Sequence, residues 1–174
     1  MTHNAVIPSR RGLLGAAGAG LAVAATSAVA APKALDLADI KKEADIACVY
    51  HCDFGDAARF DQMLTNIANH YSAYGADPFA LQLAIVAHGA GVKFFLKDLE
   101  ATAWAGDGAA LKSFERVEGL AKNGLKIHLC EITFQRNKID KANARDFPFI
   151  SFVPSGVAAV AVLQAKGFSY LKIA

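Results

Sequence analysis

Cysteine is scarce in this chain of 174 residues: Cys48, Cys52 and Cys130 are the only three. They form no C-x-x-C spacing, and the histidines form no H-x-x-x-H spacing. The usual sequence signs of a zinc site or a dithiol motif are therefore missing, and no metal or cofactor is expected. An odd number of thiols leaves at least one without an internal partner. A basic run of the kind that tracks a phosphate backbone is absent too, which argues against nucleic acid as the main partner. Internal repeats, low-complexity tracts and any sign of a second domain are also lacking.

What is present begins at the N-terminus. Ser9-Arg10-Arg11-Gly12-Leu13-Leu14 sets a twin arginine before a Gly/Ala-rich apolar stretch, which closes on Ala28-Val29-Ala30, a small-x-small processing site. The pattern predicts a twin-arginine signal peptide over residues 1–30 and a periplasmic protein with no membrane attachment after cleavage. The alternative is an uncleaved anchor, since roughly 20 apolar residues span a bilayer. Gly15, Gly18 and Gly20 belong to this stretch and precede any strand, so they are no nucleotide loop. Removing Arg10 and Arg11 with the signal leaves 16 basic residues against 16 acidic ones, a neutral mature chain.

Residues 31–44 are small and polar and are expected to be a flexible lead-in to one domain over 45–174. Five apolar runs of strand length follow: IACVYHC from Ile46, ALQLAIVA from Ala80, LKIHLC from Leu125, FISFV from Phe149 and SYLKI from Ser169. Between them stand helical patterns. Asp56 is placed to cap a helix through Phe60, Met63, Leu64, Ile67, Tyr71 and Tyr74 that Gly75 stops. A short helix, VKFFLKDL, is expected after Gly89-Ala90-Gly91, and a second over about residues 109–122. The segment after Cys130 reads as a polar connection. Pro154-Ser155-Gly156 opens a helix, VAAVAVLQAK, so apolar that burial on most sides is expected. Strands alternating with helices predict an α/β fold with a parallel sheet covered on both faces.

In such a sheet the residues after each strand converge on one edge. Cys52 with Asp53, His88, Cys130 and Ser155 occupy those positions. The helix starts at Gly89-Ala90-Gly91 and Ser155-Gly156 are expected to offer backbone N–H groups there, suited to an anion or a thiolate. Each residue also has a structural reading. Cys130 would be a small buried hydrophobe, Ser155 a helix cap and His88 the partner of a loop carbonyl. His128 would be a core histidine and His70 simply a helix residue. Cys48 and Cys52, four residues apart on one strand, are about 13 Å apart, too far for a disulfide. Cys52 and Cys130 would meet as a redox pair only if their strands are neighbours.

Several segments in combination resemble the DsrE/DsrF family of sulfur-relay proteins, from about residue 46 to 173. They are YHCDFGDAARFDQMLTNIANHY with Asn66 and Asn69, VAHGAGVKFFLKD, GLKIHLCEITFQRNKI and FVPSGVAAVAVLQAKGFSYLKI. The resemblance implies a three-layer α/β/α fold with a five-stranded parallel sheet, assembled into trimers or hexamers. It implies that the cysteine after the third strand, Cys130 here, carries sulfur as a persulfide between donor and acceptor proteins or small sulfur species. The protein would then be a sulfur carrier or sulfurtransferase, with His88, Gly89, Gly91, Ser155 and Gly156 supporting and Cys52 a possible redox partner. The export signal departs from the cytoplasmic relays of the family and implies another donor. A binding protein of the same fold, holding a small ligand, a metal or a redox partner at this edge, is the competing reading.

Overall fold

The computed structural model describes residues 1–2 and 30–174. The signal peptide expected over residues 1–30 thus lies, its end residues apart, outside the described residues.

Six strands form one sheet: β1 (Lys33–Ala34), β2 (Ile46–Cys52), β3 (Leu81–Ala87), β4 (Lys126–Cys130), β5 (Ile150–Val153) and β6 (Ser169–Lys172). Their order is β1-β5-β4-β3-β2-β6, and every pairing is parallel. The five expected strands are all there. The sixth, β1, comes from the expected lead-in: Lys33 and Ala34 pair with Ser151 and Phe152, and Ile40 and Ala44 are buried. A two-residue strand carries too little apolar periodicity to announce itself in a sequence.

The helices are α1 (Ala57–Ala73), α2 (Phe114–Ala121), α3 (Glu131–Arg136) and α4 (Gly156–Ala165). Asp56 caps α1, its carboxylate accepting the Arg59 N–H at 2.7 Å, and the helix buries Phe60, Met63, Leu64, Ile67 and Tyr71 along one stripe. Gly75, at φ +62°, lets the chain leave α1 in a left-handed conformation. The expected helix after His88 is instead a tighter 3₁₀ segment, Gly89–Phe95, whose Phe94 ring stacks on Phe60 at 4.0 Å between centroids. The second expected helix likewise divides, a 3₁₀ turn at Gly108–Leu111 preceding α2. α3 stands where the sequence reads as a polar connection.

Alternation along the strands sorts the core into two layers. Tyr50, Cys52, Ala87, Leu129 and Phe152 face the α1 layer. Val49, Val86 and Val153 face α4, where they meet Ala159, Val160 and Leu163. Removing one fully buried side chain such as Met63 or Leu163 by mutation to alanine should cost about 2–5 kcal/mol. α4 is less enclosed than its composition suggests. It buries Gly156, Ala159, Val160 and Leu163 but leaves Val157 66% exposed. No helix among the described residues is long and apolar enough to cross a membrane.

Candidate functional site

The parallel register builds the site. Cys52, Ala87 and Leu129 are successive partners across β2, β3 and β4, and Cys130 pairs with Val153 of β5. One step beyond Ala87 and Leu129, His88 and Cys130 therefore stand side by side at the carboxyl edge. Their side chains point to the α4 face, opposite that of Cys52. Gly156, the first residue of α4, fits between them. A Cβ on it would lie 2.8 Å from His88 Cβ and 3.1 Å from Cys130 Cβ, so only glycine lets the helix approach this closely.

A cleft of about 350 Å³ opens there, lined by His88, Gly89, Cys130, Ile132, Thr133, Arg136, Asn137, Ser155 and Val157. Cys130 is only 5% exposed and forms part of its floor. The sheet edge predicted from sequence is thus where His88, Gly89, Cys130 and Ser155 meet. Ser155 caps α4, its hydroxyl accepting from the Ala158 N–H at 3.4 Å, and the cleft reaches it as well. The first N–H groups of α4 have no acceptor inside their helix.

Two expectations fail. Cys52 is not beside Cys130, because β3 runs between their strands and the two thiols face opposite layers. Cys52 is fully buried, its Sγ directed at the Gly91 carbonyl, and burial foremost pushes its pKa well up. Neither a redox pair nor a metal site from these two cysteines is compatible with that separation. The second failure concerns the 3₁₀ start. The Gly89 N–H is taken by the Thr133 hydroxyl at 3.0 Å and the Gly91 N–H by the His88 carbonyl at 3.0 Å, so neither is open to an anion. Gly91 serves packing: a Cβ there would fall 2.1 Å from the Cys52 carbonyl oxygen.

The remaining predicted residues lie elsewhere. His128 faces the α4 side at the middle of β4, its Nδ1 bonded to Ser151 Oγ at 2.8 Å and its pKa lowered to about 4 by burial. It lines a separate cleft of about 310 Å³. A further cleft of about 420 Å³ lies beside Lys97 and Ile139, and neither of these two clefts contains a cysteine. His70 bonds the Tyr50 hydroxyl at 3.1 Å. Asp53 pairs with Lys172 at 3.4 Å. Among the described residues no three His, Cys, Asp or Glu side chains converge as metal ligands.

Four contributors escaped the sequence. Thr133 and Arg136 belong to α3 and Asn137 caps its end, and the helix is too short for its pattern to mark it. His51 precedes Cys52 and so points to the α4 face, where its Nε2 meets His88 Nε2 at 2.6 Å and its Nδ1 meets the Tyr170 hydroxyl at 2.8 Å. Alternation within IACVYHC was the available signal. Burial is the largest cause lowering the pKa of both histidines, with Asp53 opposing it and Lys172 adding to it. A neutral imidazole beside a thiol, with a guanidinium across the cleft, can accept the thiol proton while the cation attracts an anionic sulfur species.

A family model described as the DsrE/DsrF-like family matches residues 25–173. No curated protein matches the chain. Among solved structures, a protein of unknown function, MTH1491 from Methanobacterium thermoautotrophicum, is similar at 20% identity and a TM-score of 0.60. That similarity covers 74% of this chain and 99% of the other, and it supports the α/β fold.

Proposed function

The chain belongs to the DsrE/DsrF-like family, and on that premise we propose that it is a sulfur-relay protein whose Cys130 carries sulfane sulfur as a persulfide. The observation that supports this reading is positional. Of the three cysteines, Cys130 alone lines one of the clefts described above, and that cleft also holds an imidazole and a guanidinium. The Cys130 thiolate would attack the terminal sulfur of a donor R–S–SH, forming Cys130–S–SH as the donor's S–S bond breaks and its thiolate leaves. No net oxidation occurs, because a sulfur atom moves from one thiol to another. Arg136 would hold the anionic donor or product, and the capped end of α4 at Ser155 would line its path.

Incubating the protein with polysulfide and weighing it tests the reading. The expected result is a gain of sulfur atoms that Cys130→Ser abolishes. An unchanged wild-type mass, with Cys130 shown to be alkylated under the same conditions, would contradict it.

The proposed compartment is the periplasm, supported by Arg10-Arg11 and Ala28-Val29-Ala30. Replacing both arginines with lysine should keep the protein in the cytoplasmic fraction. Assembly into a trimer or hexamer is supported by the family and by the uncovered apolar residue Val157. Native mass spectrometry reads it directly.

A further inference from the structure

His88, His51 and Tyr170 form a hydrogen-bonded row that begins beside Cys130 and ends on β6, the exposed strand at the sheet's edge. Tyr170 Oη lies 2.8 Å from His51 Nδ1, and His51 Nε2 lies 2.6 Å from His88 Nε2. The rings of the two histidines sit 4.7 Å apart between centroids. Two imidazole nitrogens this close hold one proton between them, since two N–H groups would collide and two lone pairs would repel. The pair thus behaves as a single unit in which each ring's tautomer dictates the other's.

We propose that His51 and Tyr170 are positioning residues that act through His88 to prepare and stabilise it as the acceptor of the Cys130 proton. The proposal rests on Cys130 being the reacting thiol of the relay. With His88 donating from Nε2 to His51 Nε2, and His51 donating from Nδ1 to the Tyr170 oxygen, His88 Nδ1 is left as a lone-pair nitrogen. That nitrogen bonds none of the described residues. As Cys130 Sγ attacks the donor's terminal sulfur, its proton passes to His88. The imidazolium that results is stabilised by a now charge-assisted bond to His51. The donor's S–S bond breaks, its electron pair leaves with the donor thiolate, and His88 returns the proton to that thiolate. Cys130–SH and R–S–SH become Cys130–S–SH and R–SH, with every proton and electron accounted for.

The groups around the pair fit that role. Asp53 and Lys172 flank it at the ends of β2 and β6 and pair with each other, Cys130 and Arg136 lie across the cleft, and Tyr170 closes the outer side. α4 covers it with no ionisable side chain before Lys166, which is engaged by the Leu37, Ala38 and Ile40 carbonyls. Burial holds both histidines below their ordinary pKa, so the pair is neutral and ready to accept a proton at neutral pH.

The test uses a reaction that involves no sulfur transfer. The rate of Cys130 alkylation by iodoacetamide, mapped by mass spectrometry from pH 5 to pH 10, should show an inflection in the histidine range in the wild type. His51→Gln, which can hydrogen-bond His88 but not carry a proton, should lose that inflection and slow alkylation at pH 7 by about tenfold. Tyr170→Phe, at the more exposed end of the row, should move the inflection and slow the reaction by about twofold. Imidazole ¹⁵N shifts of the wild type should show His51 and His88 titrating together rather than independently, whether or not either variant folds. Unchanged pH profiles in both variants, or independent titration of the two rings, would overturn the proposal. Polysulfide loading of the same samples separates the two ideas: a wild type that alkylates with the inflection but never gains sulfur refutes the relay chemistry and leaves the histidine row standing.

Discussion

Cys52 and Cys130 each end a strand at the same edge of one parallel sheet, yet they inhabit different chemical settings. Cys52 faces the α1 layer, where the Gly89–Phe95 turn presses onto it so tightly that Gly91 has no room for a side chain. Cys130 faces the α4 layer, where Gly156 also sits close, but α3 departs sideways and leaves a cleft over the sulfur. Burial keeps the Cys52 thiol protonated, and its neighbours are aromatic and aliphatic. The Cys130 thiol has His88, Arg136 and Ser155 around its cleft. Strand parity and the path of the next element, rather than position at an edge, separate a packing cysteine from an available one.

The largest contrast should appear in alkylation of the native protein. Cys52 reacts only when the fold opens, so its rate should trail that of Cys130 by a factor of about 10³ or more, given ordinary domain stabilities. Mapping both peptides against time checks this, and comparable rates would erase the distinction. Next in size is Gly91→Ala, whose added carbon collides with the Cys52 backbone. Denaturant unfolding should show a loss of about 3 kcal/mol.

Two histidines extend the same comparison, since His88 opens on the cleft beside Cys130 while His128 is buried and bonded to Ser151. His128 is lowered from 6.5 to about 4 in the fold, so the unfolded chain binds its proton first as the pH falls. Its stability contribution is complete above pH 6.5 and shrinks down to about pH 4, by at most about 3 kcal/mol. Unfolding free energies measured across that window should flatten in His128→Phe relative to wild type. The smallest effect expected is that of Gly156→Ala. The overlap with the backbone-anchored Cβ atoms of His88 and Cys130, at 2.8 and 3.1 Å, is milder than the 2.1 Å at Gly91, so the cost should be about 1–2 kcal/mol, with Cys130 alkylation changed as His88 is displaced.

Much of this arrangement was legible in the sequence. Long apolar runs marked β2 to β6, and Asp56, Gly75 and Ser155 marked helix ends, because capping and strand burial act through local residue types. The edge positions of His88, Cys130 and Ser155 followed from parallel order alone. What escaped depended on neighbours far along the chain. Strand order, which keeps Cys52 from Cys130, is not encoded in any one strand. The two residues of β1 gain their meaning only from β5, and the six of α3 from the sheet they pack on. His51 stands one residue before the end of its strand, where alternation alone puts it on the functional face. The apolar sequence of α4 suggested burial on most sides, while the fold covers one face and leaves Val157 exposed.

Peptide mapping of the protein after brief exposure to polysulfide tests the central claim most directly, because it reads all three thiols at once. Sulfur added to the peptide carrying Cys130, and absent from the peptide carrying Cys48 and Cys52, is the predicted result. Sulfur on Cys52, or none on Cys130 while that thiol still reacts with iodoacetamide, would contradict it.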